Sequence, residues 1–274
     1  MLIFGLGYTA KVLAARLRDD GWTVRATGRD GDLDFGDRAG VESALSESSH
    51  VLSSVPPDLA GGDPVLATYG AALGGRWLGY LSSTGVYGDT GGGWVDETAP
   101  IGSGRRTARS EADLAWQAAG AHVFRLPGIY GPSRSPLDRV ASGAAHRIDL
   151  PGQVFSRVHV EDIARGVIAG FAAPAGVYNL ADDLPVSQNA VIAEACRLLA
   201  RALPPLLSLE EANLSPMARA FYAENRRVAN GKARRVLGWR PAFPTYVEGL
   251  RALSAKTNPA TATTAPATAS TLQR

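Results

Sequence analysis

The sequence predicts an α/β fold built on a doubly wound parallel sheet, with a smaller, mostly helical C-terminal lobe. Short apolar runs alternate with amphipathic stretches through the first half of the chain. A glycine-rich turn separates the first run from the first amphipathic stretch, and the alternation loosens after Tyr130. Strands that alternate with helices pair in parallel, because each crossover returns along a helix.

Leu2–Phe4 reads as a short buried strand. Thr9–Asp20 reads as a helix: Val12, Leu13 and Leu17 share one face, Lys11, Arg16, Arg18 and Asp19 lie off it, and Gly21 stops it. Strands follow at Trp22–Thr27 and His50–Val55, the latter ended by Pro56-Pro57, with a short helix at Gly40–Ser48 between them. Next come a helix at Pro64–Gly74, a strand at Trp77–Ser82, a helix at Glu111–Ala119 and a strand at His122–Leu126. Gly131–Val154 reads as loop with one helix, Val160–Ala172 as helix, Gly176–Leu180 as strand and Ser187–Ala202 as helix. Ser208–Tyr222 is a weaker helix and Asn230–Leu237 a short one ending at Gly238. Residues 257–274 are rich in Ala, Thr and Pro without apolar periodicity, so disorder is expected there. The pattern divides into a sheet domain, residues 1–130 and 158–182, and a lobe, residues 131–157 and 183–253.

The 274 residues are 45% hydrophobic, enough for one large core with a lobe beside it. The net charge is only +2 and the basic residues are scattered, which argues against nucleic acid or an anionic membrane as partner. No apolar run reaches the ~20 residues of a membrane span. Met1-Leu2-Ile3-Phe4 runs straight into the glycine turn, so no secretory leader and a cytoplasmic location are expected. Cys196, the single cysteine, excludes an internal disulfide and lies in an apolar helical run. His50, His122, His146 and His159 are scattered without metal-ligand spacing.

Gly5-Leu6-Gly7-Tyr8-Thr9-Ala10 fits G-x-G-x-x-G/A between a strand and a helix, the context that gives this pattern meaning. Gly5 permits the tight turn, Gly7 leaves room for a pyrophosphate, and Ala10 lets the helix pack closely on the strand. Tyr8 and Thr9 open the helix whose N-terminal N–H groups face the phosphates. This is a Rossmann-like dinucleotide site. At the end of the second strand, Thr27-Gly28-Arg29-Asp30 has no carboxylate where NAD(H) sites hold one, and a guanidinium suits a 2′-phosphate. Arg29 therefore favours NADP(H), while Asp30 keeps NAD(H) open if the strand runs longer.

Tyr80-Leu81-Ser82-Ser83-Thr84-Gly85-Val86-Tyr87-Gly88, Asp96-Glu97-Thr98-Ala99-Pro100 and Arg125-Leu126-Pro127-Gly128-Ile129-Tyr130-Gly131-Pro132 occur in this order. Arg157-Val158-His159-Val160-Glu161-Asp162-Ile163-Ala164 and Tyr178-Asn179-Leu180 follow. Together these segments resemble the extended short-chain dehydrogenase/reductases, the NAD-dependent epimerase/dehydratase family, from Met1 to about Leu253. The resemblance implies that Asp34 lies near the adenine, and that Val55 and Pro56 line the cofactor groove. It places Pro127 and Gly128 near the nicotinamide, and puts Ser83 where the family keeps a catalytic hydroxyl. Two later segments, Glu224-Asn225-Arg226-Arg227-Val228-Ala229-Asn230 and Leu237-Gly238-Trp239-Arg240-Pro241, resemble that family's C-terminal stretch, with the second read as a helix end and packing aromatic.

The chain departs from the family at its catalytic pair, Y-x-x-x-K. The residues four before Lys11, Lys232 and Lys256 are Gly7, Val228 and Ala252, so the pair is missing. Counting back from Glu111, its places fall at Ser103 and Thr107, amid Arg105, Arg106 and Arg109. Arginine binds anions well but is a poor base. Tyr130, Tyr87 and His159 are the remaining candidates for proton transfer. Arg134 and Arg157 are placed to bind a phosphate or carboxylate substrate, a nucleotide-sugar or other anionic small molecule. The expected activity is an NAD(P)-dependent oxidoreductase or sugar-nucleotide epimerase/dehydratase-like reaction at a carbonyl/alcohol group. The alternative is a non-catalytic, NADP(H)-binding redox-sensing or regulatory protein. Related folds also point to a homodimer packed through helices.

Overall fold

The computed structural model describes residues 1–58, 62–102 and 107–257. In chain order the strands are β1 (Leu2–Phe4), β2 (Arg25–Ala26), β3 (His50–Ser53), β4 (Trp77–Ser83), β5 (Trp94–Val95), β6 (His122–Leu126), β7 (Gly128–Tyr130), β8 (Arg147–Ile148), β9 (Arg157–His159), β10 (Gly176–Asn179), β11 (Leu206–Leu207) and β12 (Arg227–Val228). The helices are α1 (Tyr8–Asp19), α2 (Arg38–Ser46), α3 (Pro64–Tyr69), α4 (Thr107–Ala118), α5 (Pro136–Ala141), α6 (Val160–Ala169), α7 (Gln188–Leu198), α8 (Pro216–Phe221), α9 (Gly231–Val236) and α10 (Tyr246–Thr257).

The central sheet is parallel throughout, in the order β2-β1-β3-β4-β6-β10. Both of its faces are covered, and β1 shows why its three residues are all apolar. Ile3 packs with Ala10, Leu13 and Leu17 of α1 and with Ile163 and Val167 of α6. Leu2 and Phe4 point the other way, onto Val41 and Leu45 of α2, Tyr69 of α3 and Trp116 of α4. Alternating side chains that are buried on both faces leave no polar position in such a strand. Because β1 lies between β2 and β3, the sheet order reverses there, and the crevice outside these strand ends is the switch point where α/β folds bind ligands.

The helical lobe has its own core: Leu137 and Val140 of α5, Val191, Ile192, Ala195 and Cys196 of α7, and Leu250 and Leu253 of α10. Cys196 is buried there, as its apolar run implies. Outside the central sheet, β7 and β9 form a parallel pair, with Gly128, Ile129 and Tyr130 facing Arg157, Val158 and His159.

Several elements differ from expectation. β2 is two residues long, because the stretch before it serves other ends: Trp22 N–H closes α1 onto the Leu17 carbonyl, and the Met1 ammonium donates to the Thr23 carbonyl. α4 starts at Thr107, a turn earlier than its apolar face suggests. The short pairs β5·β12, β8·β11 and β7·β9 escape a periodicity search, since two or three residues carry no period. α10 escapes it too. Glu248, Arg251 and Lys256 break up its apolar residues, and Leu250 and Leu253 hold it through the lobe core. The expectation of disorder over 257–274 falls outside the described residues beyond Thr257. No helix among the described residues is long and apolar enough to cross a membrane.

Candidate dinucleotide and substrate cleft

The glycine turn leaves open space in front of the first helix. Gly5 has φ +85°, and a Cβ there would meet Val55 Cγ2 at 3.0 Å. Gly7 is the N-cap of α1 in an extended conformation with no side-chain cap. A Cβ on Gly7 would meet nothing within 4 Å, so the turn faces open cleft. The first turn of α1 carries no acidic residue. The N–H groups of Tyr8, Thr9 and Ala10 therefore present a positive helix end to that space. Ala10 is fully buried against the sheet. Thr27 holds the turn: its hydroxyl accepts from Gly5 N–H at 3.2 Å and its carbonyl from Leu6 N–H at 2.8 Å.

Beyond β2 a recess of about 490 Å³ is lined by Gly28, Arg29, Gly31 and the 32–35 segment. Its carboxylates are engaged. Asp30 pairs with Lys11 at 2.5 Å, an attraction that holds its carboxyl below the usual range. Asp32 accepts from Ala26 N–H at 2.7 Å and pairs with Arg25. Asp34 accepts from Gly36 N–H at 2.9 Å. Arg29 is exposed and has no ion pair among the described residues. Pro56 is exposed past β3, while Val55 closes on Gly5.

The main cleft, about 1060 Å³, runs from Gly7, Tyr8 and Thr9 past Ser83 to the lobe. Pro127 and Gly128 line it. Ser83 ends β4, and its hydroxyl accepts from Gly85 N–H at 3.1 Å. That bond fixes the oxygen and leaves the O–H free to donate elsewhere. Arg134 lies across the cleft from the turn, its guanidinium 5.5 Å from the Tyr8 ring centroid. Arg109 of α4 reaches the same wall. Thr107, the place where the resemblance expects a lysine, lies in the first turn of α4. Ser103, Arg105 and Arg106 lie outside the described residues.

The structure brings other candidates together differently. His159 does not line the cleft. It is buried as the N-cap of α6, its Nδ1 accepting from Glu161 N–H at 3.3 Å and its ring packed 4.2 Å from Phe243. Burial, and less so the Lys256 charge, depress its pKa to about 4. This position gives His159 a capping task and takes it away from proton transfer with a substrate. Tyr130 lines the cleft wall, but its hydroxyl abuts Gly249 of α10, and burial pushes its pKa up. A phenol held protonated in this way is a poor base. Tyr87 sits beneath Ser83 with its hydroxyl donating to Asn179 at 2.8 Å and accepting from Arg125 at 3.0 Å, a structural bond set. Arg157 is spent as well: it donates to the Phe155 and Val186 carbonyls and to Gln188. Burial draws its pKa down to about 10, against the opposing charge of Asp182.

Two buried groups behind the cleft give opposite pH dependences. Burial raises the Asp182 carboxyl to about 7, although Arg157 pulls the other way. A raised carboxyl contributes stability at low pH that is lost as pH rises from about 4 to about 7. The depressed His159 contributes stability above about pH 6.5 that is lost as pH falls towards about 4. Asp182→Asn should therefore gain on the parent protein as pH rises through this range. His159→Asn, which keeps a capping acceptor, should gain on it as pH falls. Each difference has a slope of at most about 1.4 kcal/mol per pH unit. Urea unfolding between pH 4.5 and 7.5 checks this, and variant curves parallel to the parent would refute it.

Two further cleft residues carry little signal in the sequence. Arg226 and Glu224 form a pair at 2.8 Å, their side chains 16% and 11% exposed. Both line the cleft, and Arg226 also donates to the Gly88 carbonyl just past the Ser83 turn. In the sequence they fall in the stretch that resembles the family's C-terminal region, where neither residue is given a role of its own. The placement comes from Asn225, whose carbonyl accepts from Thr90 N–H at 3.1 Å and from Gly92 N–H at 2.9 Å.

No protein-family model and no curated protein matches the chain. A solved structure from Silicibacter pomeroyi DSS, described as a functionally unknown conserved protein, is 44% identical over 93% of this chain and 98% of that one, with TM-score 0.83. The chain belongs to that protein's family. Its other structural neighbours are NAD-dependent epimerase/dehydratase and short-chain dehydrogenase/reductase proteins. UDP-glucose 4-epimerase from Thermotoga maritima, solved with UDP-glucose, is 17% identical over 93% of this chain and 97% of its own, with TM-score 0.70. Human epimerase family protein SDR39U1, solved with NADPH, is 15% identical over 93% and 99%, with TM-score 0.69. The chain has the fold of these proteins, as the motifs of its sequence implied.

Proposed function

We propose that this protein is an NADP(H)-dependent carbonyl reductase or alcohol dehydrogenase. The observation that carries this reading is that the uncapped α1 N-terminus, open at Gly7, and the hydroxyl of Ser83 line one cleft. The residues present suit a nicotinamide dinucleotide. Gly7 and α1 would hold the pyrophosphate, Arg29 the 2′-phosphate, Asp34 and Val55 the adenine side, and Pro127 and Gly128 the nicotinamide side. The bound nicotinamide supplies hydride exchange. Ser83 then donates a hydrogen bond to the substrate oxygen, and solvent supplies the proton. Thr107 in the lysine position, with Tyr130 and His159 withdrawn, removes the base that epimerisation and dehydration need. Carbonyl reduction, which takes up a proton and needs no base, fits this cleft better. Arg134, facing Tyr8, binds an anionic group of cofactor or substrate.

The same Thr107 supports a second reading, a dinucleotide-binding sensor without turnover. Titration with NADPH and NADH, followed by a screen of carbonyl compounds, separates the two. Arg29→Ala should weaken NADPH binding roughly 10-fold or more, the loss of one charge-assisted contact, and leave NADH unchanged. Equal loss for both dinucleotides would remove Arg29 from the 2′-phosphate, and no binding of either would remove the reading altogether.

A further inference from the structure

The turn that carries Ser83 has a second chemical group against it. From the point where a Cβ would stand on Gly85, Ser83 Oγ is 3.3 Å away and Arg226 Nη2 is 4.0 Å away. The two come from distant parts of the chain: Ser83 ends β4, and Arg226 precedes β12. Arg226 is fixed by its bonds to Glu224 and to the Gly88 carbonyl, both through Nη1. Its Nη2 edge faces the Ser83 turn, and its side chain is largely withdrawn from water. A guanidinium edge held in place and partly desolvated is suited to a planar carboxylate. Around it the cleft wall adds Arg109, Arg134 and Arg139. Asp138, also in the lining, is spent on the α5 capping box.

We propose that the substrate is an oxo acid: its carbonyl oxygen meets Ser83 and its carboxylate pairs with Arg226. The inference rests on the reductase reading above and names its substrate class. Reduction would convert the oxo acid to the hydroxy acid, taking one hydride from the reduced dinucleotide and one proton from water. Arg226 is the specificity residue in this scheme, because an ester offers its guanidinium a neutral acceptor and loses the charge-assisted pairing that a carboxylate makes.

The test is a panel of short 2-oxo and 3-oxo acids, each beside its methyl ester, with NADPH oxidation as one readout. The second readout is calorimetric titration of the same acids into protein saturated with NADP⁺, where no turnover occurs. At least one acid should exceed its ester in kcat/KM by about 100-fold, the scale of one lost charge-assisted pairing. Arg226→Gln should abolish that preference and the binding heat, and Arg226→Lys should restore part of both. Esters reduced as well as acids would overturn the proposal, and so would no oxo acid binding or reacting, or an acid preference that survives Arg226→Gln. The preference of the parent protein stands as a result even if a variant fails to fold. Failure of NADPH itself to bind would instead sink the reductase reading, which the first titration detects separately.

Discussion

Gly7→Val should abolish NADPH binding while keeping the fold within about 1 kcal/mol of the parent stability, the cost of exchanging a glycine N-cap. Gly7 sits in an extended conformation at φ −84° and ψ −170°, which any L-residue adopts, so the backbone tolerates a side chain. No atom beyond the chain neighbours lies within 4 Å of the added Cβ, so that carbon meets open space. The space that valine fills is the space against the α1 N-terminus, where the phosphates must approach the backbone. An affinity loss of at least about 100-fold is expected, nearly 3 kcal/mol. The measurement pairs an NADPH titration with a urea unfolding curve. Retained binding would show that this turn is an ordinary strand–helix corner. Lost stability would show that the open space is needed by the fold itself. The contrast with Gly5 is informative: its φ of +85° makes any substitution there strain the turn, so a Gly5 variant cannot separate folding from binding.

The second large effect concerns the charge network beneath Ser83. Arg125 of β6 meets Asp113 of α4 through two parallel bonds, Nη2 to Oδ1 at 2.7 Å and Nε to Oδ2 at 3.0 Å. Their side chains are 3% and 0% exposed. Ser82 adds a bond to Asp113 at 2.5 Å, and Gln117 another at 2.6 Å. Arg125 in turn reaches the Tyr87 hydroxyl at 3.0 Å. Removing one partner strands the other charge in the interior, so Asp113→Asn and Arg125→Met should each cost about 3–5 kcal/mol of stability. The double replacement Asp113→Leu with Arg125→Met should recover part of that loss, because no lone charge remains. Chemical unfolding of the three variants measures this, and losses below about 1 kcal/mol for the single changes would contradict it. The network also bears on the cleft. Ser82 and Arg125 are register partners across β4 and β6, and Ser83 is the next residue of β4. A variant that folds but lets this corner shift should lose activity beyond its loss of stability.

Much of the fold was legible because the relevant signals are local. The apolar triplet of β1, the glycine turn and the apolar face of α1 each follow from neighbouring residues, and they located one end of the cleft. Ser83 was singled out by the family resemblance rather than by a local signal, and the structure puts it at the end of β4 in the cleft lining. The roles of Tyr130, His159 and Arg157 were not legible. All three stand in segments bordering the cleft, and sequence order cannot say which way a side chain points. In the structure Gly249 of α10 receives the Tyr130 hydroxyl, Phe243 covers the His159 ring, and the Phe155 and Val186 carbonyls absorb Arg157. Two of these partners, Phe243 and Gly249, belong to the C-terminal region whose helix the periodicity did not reveal.

The sequence by itself determined the parallel α/β architecture, the glycine turn and the absence of a tyrosine–lysine pair. Each depends on residue identity within a few positions, where steric and hydrogen-bonding rules act directly. Tertiary structure alone decided which polar groups face the cleft. It buried His159, spent Arg157, engaged Asp30 with Lys11, and carried Arg226 to the Ser83 turn from 143 positions along the chain. The physical reason is that burial and partnership set the charge and availability of a side chain. Both are properties of distant segments packed together, which no local pattern contains.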